Sequence, residues 1–370
     1  MAITYKLLTP GPLTTTGAVK REMLFDHCTW DDDYKHIPQR IRRGLVKLAE
    51  ADETEYTAVL MQGSGTFGVE SVLTSSVGPD DKVLICSNGA YGARMVEIAK
   101  HAGLNFVHYV ERYDRSPAPA RVAEYLREDP AITHVAMVHS ETTSGILNDI
   151  EGVAHIVKKA GKTMIVDAMS SFGGVPMCLP EIGADFLVSS ANKCIQGVPG
   201  FSFILARRTA LERCKGQARS LSLDLYDQWA GQEKDGKWRF TSPTHVVLAF
   251  AKAMEELDAE GGVAARHARY AKNNRLLVEG MRKLGFPTYI DSAWQGPVIT
   301  TFFYPEGAQI DFQDFYSYIK ARGYAIYPGK VTDAETFRIG TIGEIYPEDI
   351  KKVLSIIEDY RKERGSYGKH

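Results

Sequence analysis

Between about residues 60 and 210, short apolar runs alternate with stretches of helical pattern, and this alternation constrains the fold more than any other feature. Runs at 83–86, 106–110, 134–138, 164–167, 186–189 and 201–205 have the length of strands and are too short for buried helices. Helical patterns near 93–101, 120–128 and 152–160 separate the first four. Parallel neighbours need a crossover between them, so the pattern predicts a mostly parallel sheet of the seven-stranded type, covered by helices on both faces. Only loops separate the last runs, so part of the sheet is expected to turn antiparallel. In such sheets ligands bind beyond the carboxyl ends of the strands.

Two charged residues stand at those ends. The run Thr163-Met164-Ile165-Val166 closes on Asp167, and Lys193 follows Phe186-Leu187-Val188-Ser189 across a short turn. An ionised side chain buried without a partner is strongly unfavourable, so such groups pair, neutralise or serve a ligand. A lysine amine forms a Schiff base with an aldehyde, and a carboxylate holds a pyridinium nitrogen protonated, so the pair fits pyridoxal 5′-phosphate. Taken singly, the lysine also reads as a surface charge on a snorkelling stem and the aspartate as a turn cap.

Further motifs fall at the same edge. After the strand-like run 57–61, Gln62-Gly63-Ser64-Gly65-Thr66-Phe67-Gly68 opens a helix, where unpaired N–H groups and the helix dipole favour one phosphate. It lacks the Lys-Ser/Thr of a P-loop and fits the dinucleotide fingerprint poorly, since no acidic residue ends the next strand. Tyr91, in Asn88-Gly89-Ala90-Tyr91-Gly92, could stack on a flat ring or be a core tyrosine. His139-Ser140-Glu141-Thr142 supplies the Thr142 hydroxyl. Arg338 lies within the apolar strand 337–339, where a guanidinium calls for a paired anion, either a substrate or an internal salt bridge. The turn Leu8-Thr9-Pro10-Gly11-Pro12 could line a substrate site at Pro10 and Gly11, or be an inert entry loop.

The chain has 370 residues, 44% hydrophobic and 24% charged, ample for a large core and more than one domain. A net charge of −2 recommends neither nucleic acid nor an acidic membrane as partner. No apolar run approaches a membrane span, and Met1 to Lys6 do not read as a secretion leader. Five scattered cysteines without a CxxC pair predict free thiols, a cytoplasmic setting and no metal site. Cys194 reads as a small buried neighbour of Lys193. The expected plan is an N-terminal segment (1–20) crossing onto a small domain, a large α/β domain (21–245) and the small α+β domain itself (246–370).

The chain resembles the class V aminotransferase group of fold-type I pyridoxal-phosphate enzymes over its whole length. The resemblance rests on Leu7-Leu8-Thr9-Pro10-Gly11-Pro12, Gln62-Gly63-Ser64-Gly65-Thr66-Phe67, Val166-Asp167-Ala168-Met169-Ser170-Ser171-Phe172-Gly173-Gly174, Ser189-Ser190-Ala191-Asn192-Lys193-Cys194 and Phe240-Thr241-Ser242-Pro243-Thr244-His245. It implies that Lys193 links the cofactor and shuttles the proton, Asp167 pairs with the pyridine nitrogen and Tyr91 stacks on the ring. Ser64, Gly65, Thr66 and Asn192 would hold the phosphate, and Thr142 would touch the ring hydroxyl. Thr241 would reach the phosphate of the neighbouring subunit, in a homodimer with shared active sites. Arg338 would bind the substrate anion. The implied substrates are 2-aminoethylphosphonate and pyruvate; serine–pyruvate and alanine–glyoxylate transamination use much the same frame. A nucleotide-binding dehydrogenase leaves Lys193 unexplained, and a non-enzymatic binding module would carry no chromophore.

Overall fold

A computed structural model describes residues 5–364; the first residues of the expected N-terminal segment and the last of the small domain lie outside that range. In chain order the strands are β1 (Lys6–Leu7), β2 (Tyr56–Gln62), β3 (Val83–Ser87), β4 (Phe106–Val110), β5 (His134–Val138), β6 (Ser140–Glu141) and β7 (Ile146–Leu147). There follow β8 (Thr163–Asp167), β9 (Phe186–Ser190), β10 (Phe201–Arg207), β11 (Ile299–Phe303), β12 (Tyr324–Ala325), β13 (Tyr327–Pro328) and β14 (Thr336–Gly340). Seven of them form one sheet in the order β2-β10-β9-β8-β5-β3-β4. Only β10 runs against its neighbours, β2 and β9; the other pairings are parallel.

Alternation along the strands builds two cores. Val135, Met137, Val166 and Leu187 join an apolar cluster on one face, while Ala136, Val138, Ile165 and Val188 join the cluster on the other. Both faces are covered, so the strands are apolar at nearly every position and carry little period-2 signal.

A third core gathers Phe286, Phe302, Phe315, Phe337, Ile350 and Ile357 under the small sheet β11-β14-β13. Strand β1 pairs in parallel with β12, which carries the chain start onto that unit. Helix Thr244–Glu260 contributes Val247, Phe250 and Leu257 to the large-sheet core, so the apolar packing does not break at residue 245. Among the described residues no helix is long and apolar enough to cross a membrane.

Candidate active site

The carboxyl ends of β2, β3, β5, β8 and β9 converge on one cavity of about 230 Å³, lined by Ser64, Gly65, Thr66, Tyr91, Asp167, Asn192 and Lys193 among others. Asp167 ends β8 and the others follow closely on the ends of their strands, and so distant segments meet there.

Lys193 stands in a turn that is fastened from behind. The Gln196 N–H donates to the Lys193 carbonyl (2.7 Å), and the Cys194 carbonyl accepts from Arg266 (2.6 Å) and from the Tyr270 hydroxyl (3.3 Å). Lys193 Nζ donates to the Pro10 carbonyl at 2.8 Å, and burial holds the amine below the usual lysine range. Gly11 has φ +122, and a Cβ there would fall on the Lys193 side chain. The turn at Pro10 and Gly11 therefore packs directly against the amine. Burial pushes the Cys194 thiol up to about 12, so it stays protonated and is a buried neighbour without a nucleophile's chemistry.

Asp167 is buried, and burial raises its carboxyl to about 6. One carboxyl oxygen accepts from the Met169 N–H (2.9 Å); among the described residues no ion pair takes the other. At the helix Gly65–Ser76 the N-cap Ser64 makes no side-chain cap bond, which leaves the opening N–H groups uncapped. A Cβ on Gly65 would strike the Met169 thioether, so the helix start lies directly against the side chain of the Asp167 turn.

Tyr91 opens the helix Ala90–His101. Burial alone would lift its phenol, yet a hydrogen bond with Thr142 and the nearby Lys193 and Lys330 cations draw it below the ordinary value. The Glu141 carboxylate organises this corner: it accepts from the N–H groups of Tyr91 (3.2 Å), Gly92 (3.3 Å) and Thr143 (3.0 Å). Thr142 is buried beside it, outside the cavity wall, with its side chain against the Tyr91 phenol. Arg338 reaches across from the small sheet, donating from Nη1 to the Thr142 carbonyl (2.8 Å) and from Nε to the Pro328 carbonyl (2.9 Å). It makes no ion pair among the described residues, which removes the internal salt bridge as an account of it.

Thr241 is the residue that the structure does not bring in. It is exposed and lines a different, largely apolar hollow with Gly63, Phe67, Leu221 and Phe240. Four residues with a place at the cleft were missed by sequence reasoning. Arg94, three residues after Tyr91 on one helix face, lines the cavity and donates to the Thr66 hydroxyl (3.2 Å). Ser140 lines it with a buried, unpartnered hydroxyl. The others are Glu141 and Lys330, whose ammonium stands 4.1 Å from the Tyr91 ring centre. The i,i+3 spacing was a readable signal for Arg94; the other three carry none.

These groups fit pyridoxal phosphate. An uncapped helix start suits the phosphate, Asp167 has an oxygen to spare for a ring nitrogen, and Lys193 has an amine for the aldehyde. The buried Ser140 hydroxyl in the cavity wall lacks a partner within the chain, as expected where a polar ligand belongs.

A family model described as aminotransferase class-V matches residues 27–339. The chain is 60% identical over 356 residues to the 2-aminoethylphosphonate–pyruvate transaminase of Lysinibacillus sphaericus, covering 96% of this chain and 97% of that protein. It is 56% identical over 357 residues to the Bacteroides fragilis protein of the same name, covering 96% and 98%. The structure of an alanine–glyoxylate aminotransferase from Nostoc sp. matches with a TM-score of 0.89 at 23% identity, covering 97% of this chain and 96% of that one. A pyridoxamine–pyruvate aminotransferase from Mesorhizobium loti matches with a TM-score of 0.89 at 24% identity, covering 100% and 95%. These two structural likenesses speak for the fold alone.

Proposed function

The chain belongs to the class-V aminotransferase family, and we propose that it moves the amino group of 2-aminoethylphosphonate to pyruvate, yielding phosphonoacetaldehyde and L-alanine. It is a pyridoxal-phosphate-dependent transaminase. The observation that carries the reading is one cavity that joins the Lys193 amine, the Asp167 carboxylate and the helix start at Ser64 to Thr66.

Pyridoxal phosphate supplies, when bound, an aldehyde that takes up the amino nitrogen and a ring that accepts electrons. Lys193 Nζ is the base that takes the proton from the carbon bearing the donor nitrogen and returns it on the other side of the transfer. Its lowered pKa keeps a share of the amine neutral for that task. Asp167 holds a proton at the ring nitrogen, and burial strengthens that hydrogen bond. Ser64, Gly65 and Thr66 bind the phosphate through N–H and hydroxyl groups, with Asn192 alongside and Arg94 adding charge. Tyr91 stacks on the ring and Thr142 faces its hydroxyl. Pro10 and Gly11 wall the amine, and the Arg338 fork receives the anionic end of either substrate.

Thr241 serves the phosphate of a second copy in a homodimer. The support is its exposure beside Phe67, Leu221 and Phe240, which are 51%, 73% and 51% exposed. Free thiols at all five cysteines favour the cytoplasm. The test of function is turnover of the purified holoenzyme with 2-aminoethylphosphonate, L-serine and L-alanine as donors. The phosphonate should be preferred by at least tenfold in kcat/KM; preference for L-serine or L-alanine would replace this reading.

A further inference from the structure

The buried arginines Arg42 and Arg266 have acids beside them: Arg42 pairs with Glu233, and Arg266 shares Glu260 with Arg269. Lys330 is different. It is half-buried beside the cleft, its ammonium 4.1 Å from the centre of the ring of the cavity-lining Tyr91, and it makes neither hydrogen bond nor ion pair among the described residues. Arg338, likewise without an acid, is held on the same hairpin. Tyr327 pairs with Arg338 across β13 and β14, Pro328 O accepts from Arg338 Nε (2.9 Å), and the Gly329 N–H donates to Thr336 O (3.0 Å). Gly329 packs so closely that a Cβ there would enter Thr336, so the backbone leading to Lys330 is fixed relative to Arg338.

Lys330 opposes the charge of Lys193 and shares a rigid hairpin with the acid-free Arg338, so an anion with a second charge offsets these cations more fully than a monoanion does. A carboxylate needs only one guanidinium fork. A phosphonate dianion presents a second charge and a third oxygen. We propose that Lys330 is a specificity-determining residue, the second cation that selects a dianionic phosphonate head group over a carboxylate. This rests on the function proposed above, and it assigns Arg338 to the charge that both substrates share and Lys330 to the charge that only the donor carries.

The test compares holoenzyme of the wild type, Lys330→Met and Lys330→Arg. Competitive inhibition by ethylphosphonate and by propanoate reads head-group binding without turnover. Rates of the donor half-reaction with 2-aminoethylphosphonate and with 3-aminopropanoate read it in catalysis. Lys330→Met should weaken ethylphosphonate roughly tenfold to a hundredfold, the scale of one charge-assisted hydrogen bond, and propanoate at least fivefold less than that. Lys330→Arg should recover most of the phosphonate loss. Equal losses for both inhibitors, no loss for ethylphosphonate, or a wild type that does not prefer ethylphosphonate would each overturn the assignment. A wild type that prefers ethylphosphonate yet fails to turn over 2-aminoethylphosphonate would sink the proposed donor, while the inhibitor comparison would still judge Lys330.

Discussion

Lys193 and Asp167 could be read from the sequence because each stands at or just beyond the end of an apolar run, and a charge where burial is expected needs a reason. Their roles yield two predictions. Lys193→Ala should lower turnover by 10²–10⁴-fold or more, roughly the range for loss of a general base, while thermal melting stays within a few degrees. The visible absorbance of the bound cofactor should change with it, and an enzyme that still turns over at the normal rate would end the assignment. Asp167→Ala should reduce kcat about 10²–10⁴-fold while the donor KM moves less than tenfold, because the carboxylate acts on the ring and not on the substrate. Weakened cofactor binding with normal turnover of the loaded fraction would make Asp167 an anchor only. Ser140, Glu141 and Lys330 escaped notice for the opposite reason. Locally each looks like a solvated polar residue, and only tertiary packing turns Glu141 into the acceptor for three N–H groups.

At the scale of elements, the strands were legible where the chain is fully buried. The run expected at 134–138 coincides with β5, which is buried throughout. Helix Asp32–Leu48 was not foreseen: Pro38 interrupts its pattern, though there the proline sits buried against the core. Helix Leu225–Asp235 was missed too, since its inward face uses Gln228 and Gln232, whose amides bond the Leu60 carbonyl at 2.8 and 2.9 Å. The strand ends also set a pH response. His139, directly after β5, is buried with an unpartnered Nδ1, and burial lowers its imidazole to about 4 from 6.5. Between those values the unfolded chain binds a proton that the folded chain refuses, so stability rises with pH across that window and falls on acidification. His139 should account for about 2 kcal/mol of the loss in the cofactor-free protein between pH 7 and pH 5. His134, also lowered to about 4 by burial, adds a change of the same sign. Urea midpoints at the two pH values should therefore converge, though not meet, in His139→Gln. An unchanged pH dependence in that variant would show that the imidazole does not govern it.

For the whole molecule, the phosphate cradle looks outward on one side. Gly63 and Phe67 line the apolar hollow of about 680 Å³ that also carries Thr241 and Phe240, one turn of chain from Ser64 and Thr66 inside the cavity. Nothing local to Thr241 marks it as a cofactor contact, and within one chain it is none; its meaning depends on a second copy. The homodimer reading thus makes a coupled prediction. The wild type should be dimeric by light scattering, and Phe240→Asp, which puts a charge into the apolar hollow, should shift it toward monomer. In the dimer, Thr241→Ala should weaken pyridoxal phosphate binding by about 1 kcal/mol, the usual worth of one hydrogen bond. In the Phe240→Asp background the same substitution should do almost nothing, because the hydroxyl has already been withdrawn with the partner. The cofactor affinities of the four proteins form a double-mutant cycle whose coupling energy should be about as large as the effect of Thr241→Ala alone. Zero coupling, with Thr241 contributing equally in monomer and dimer, would mean that the threonine acts within its own chain and that the active sites are not shared.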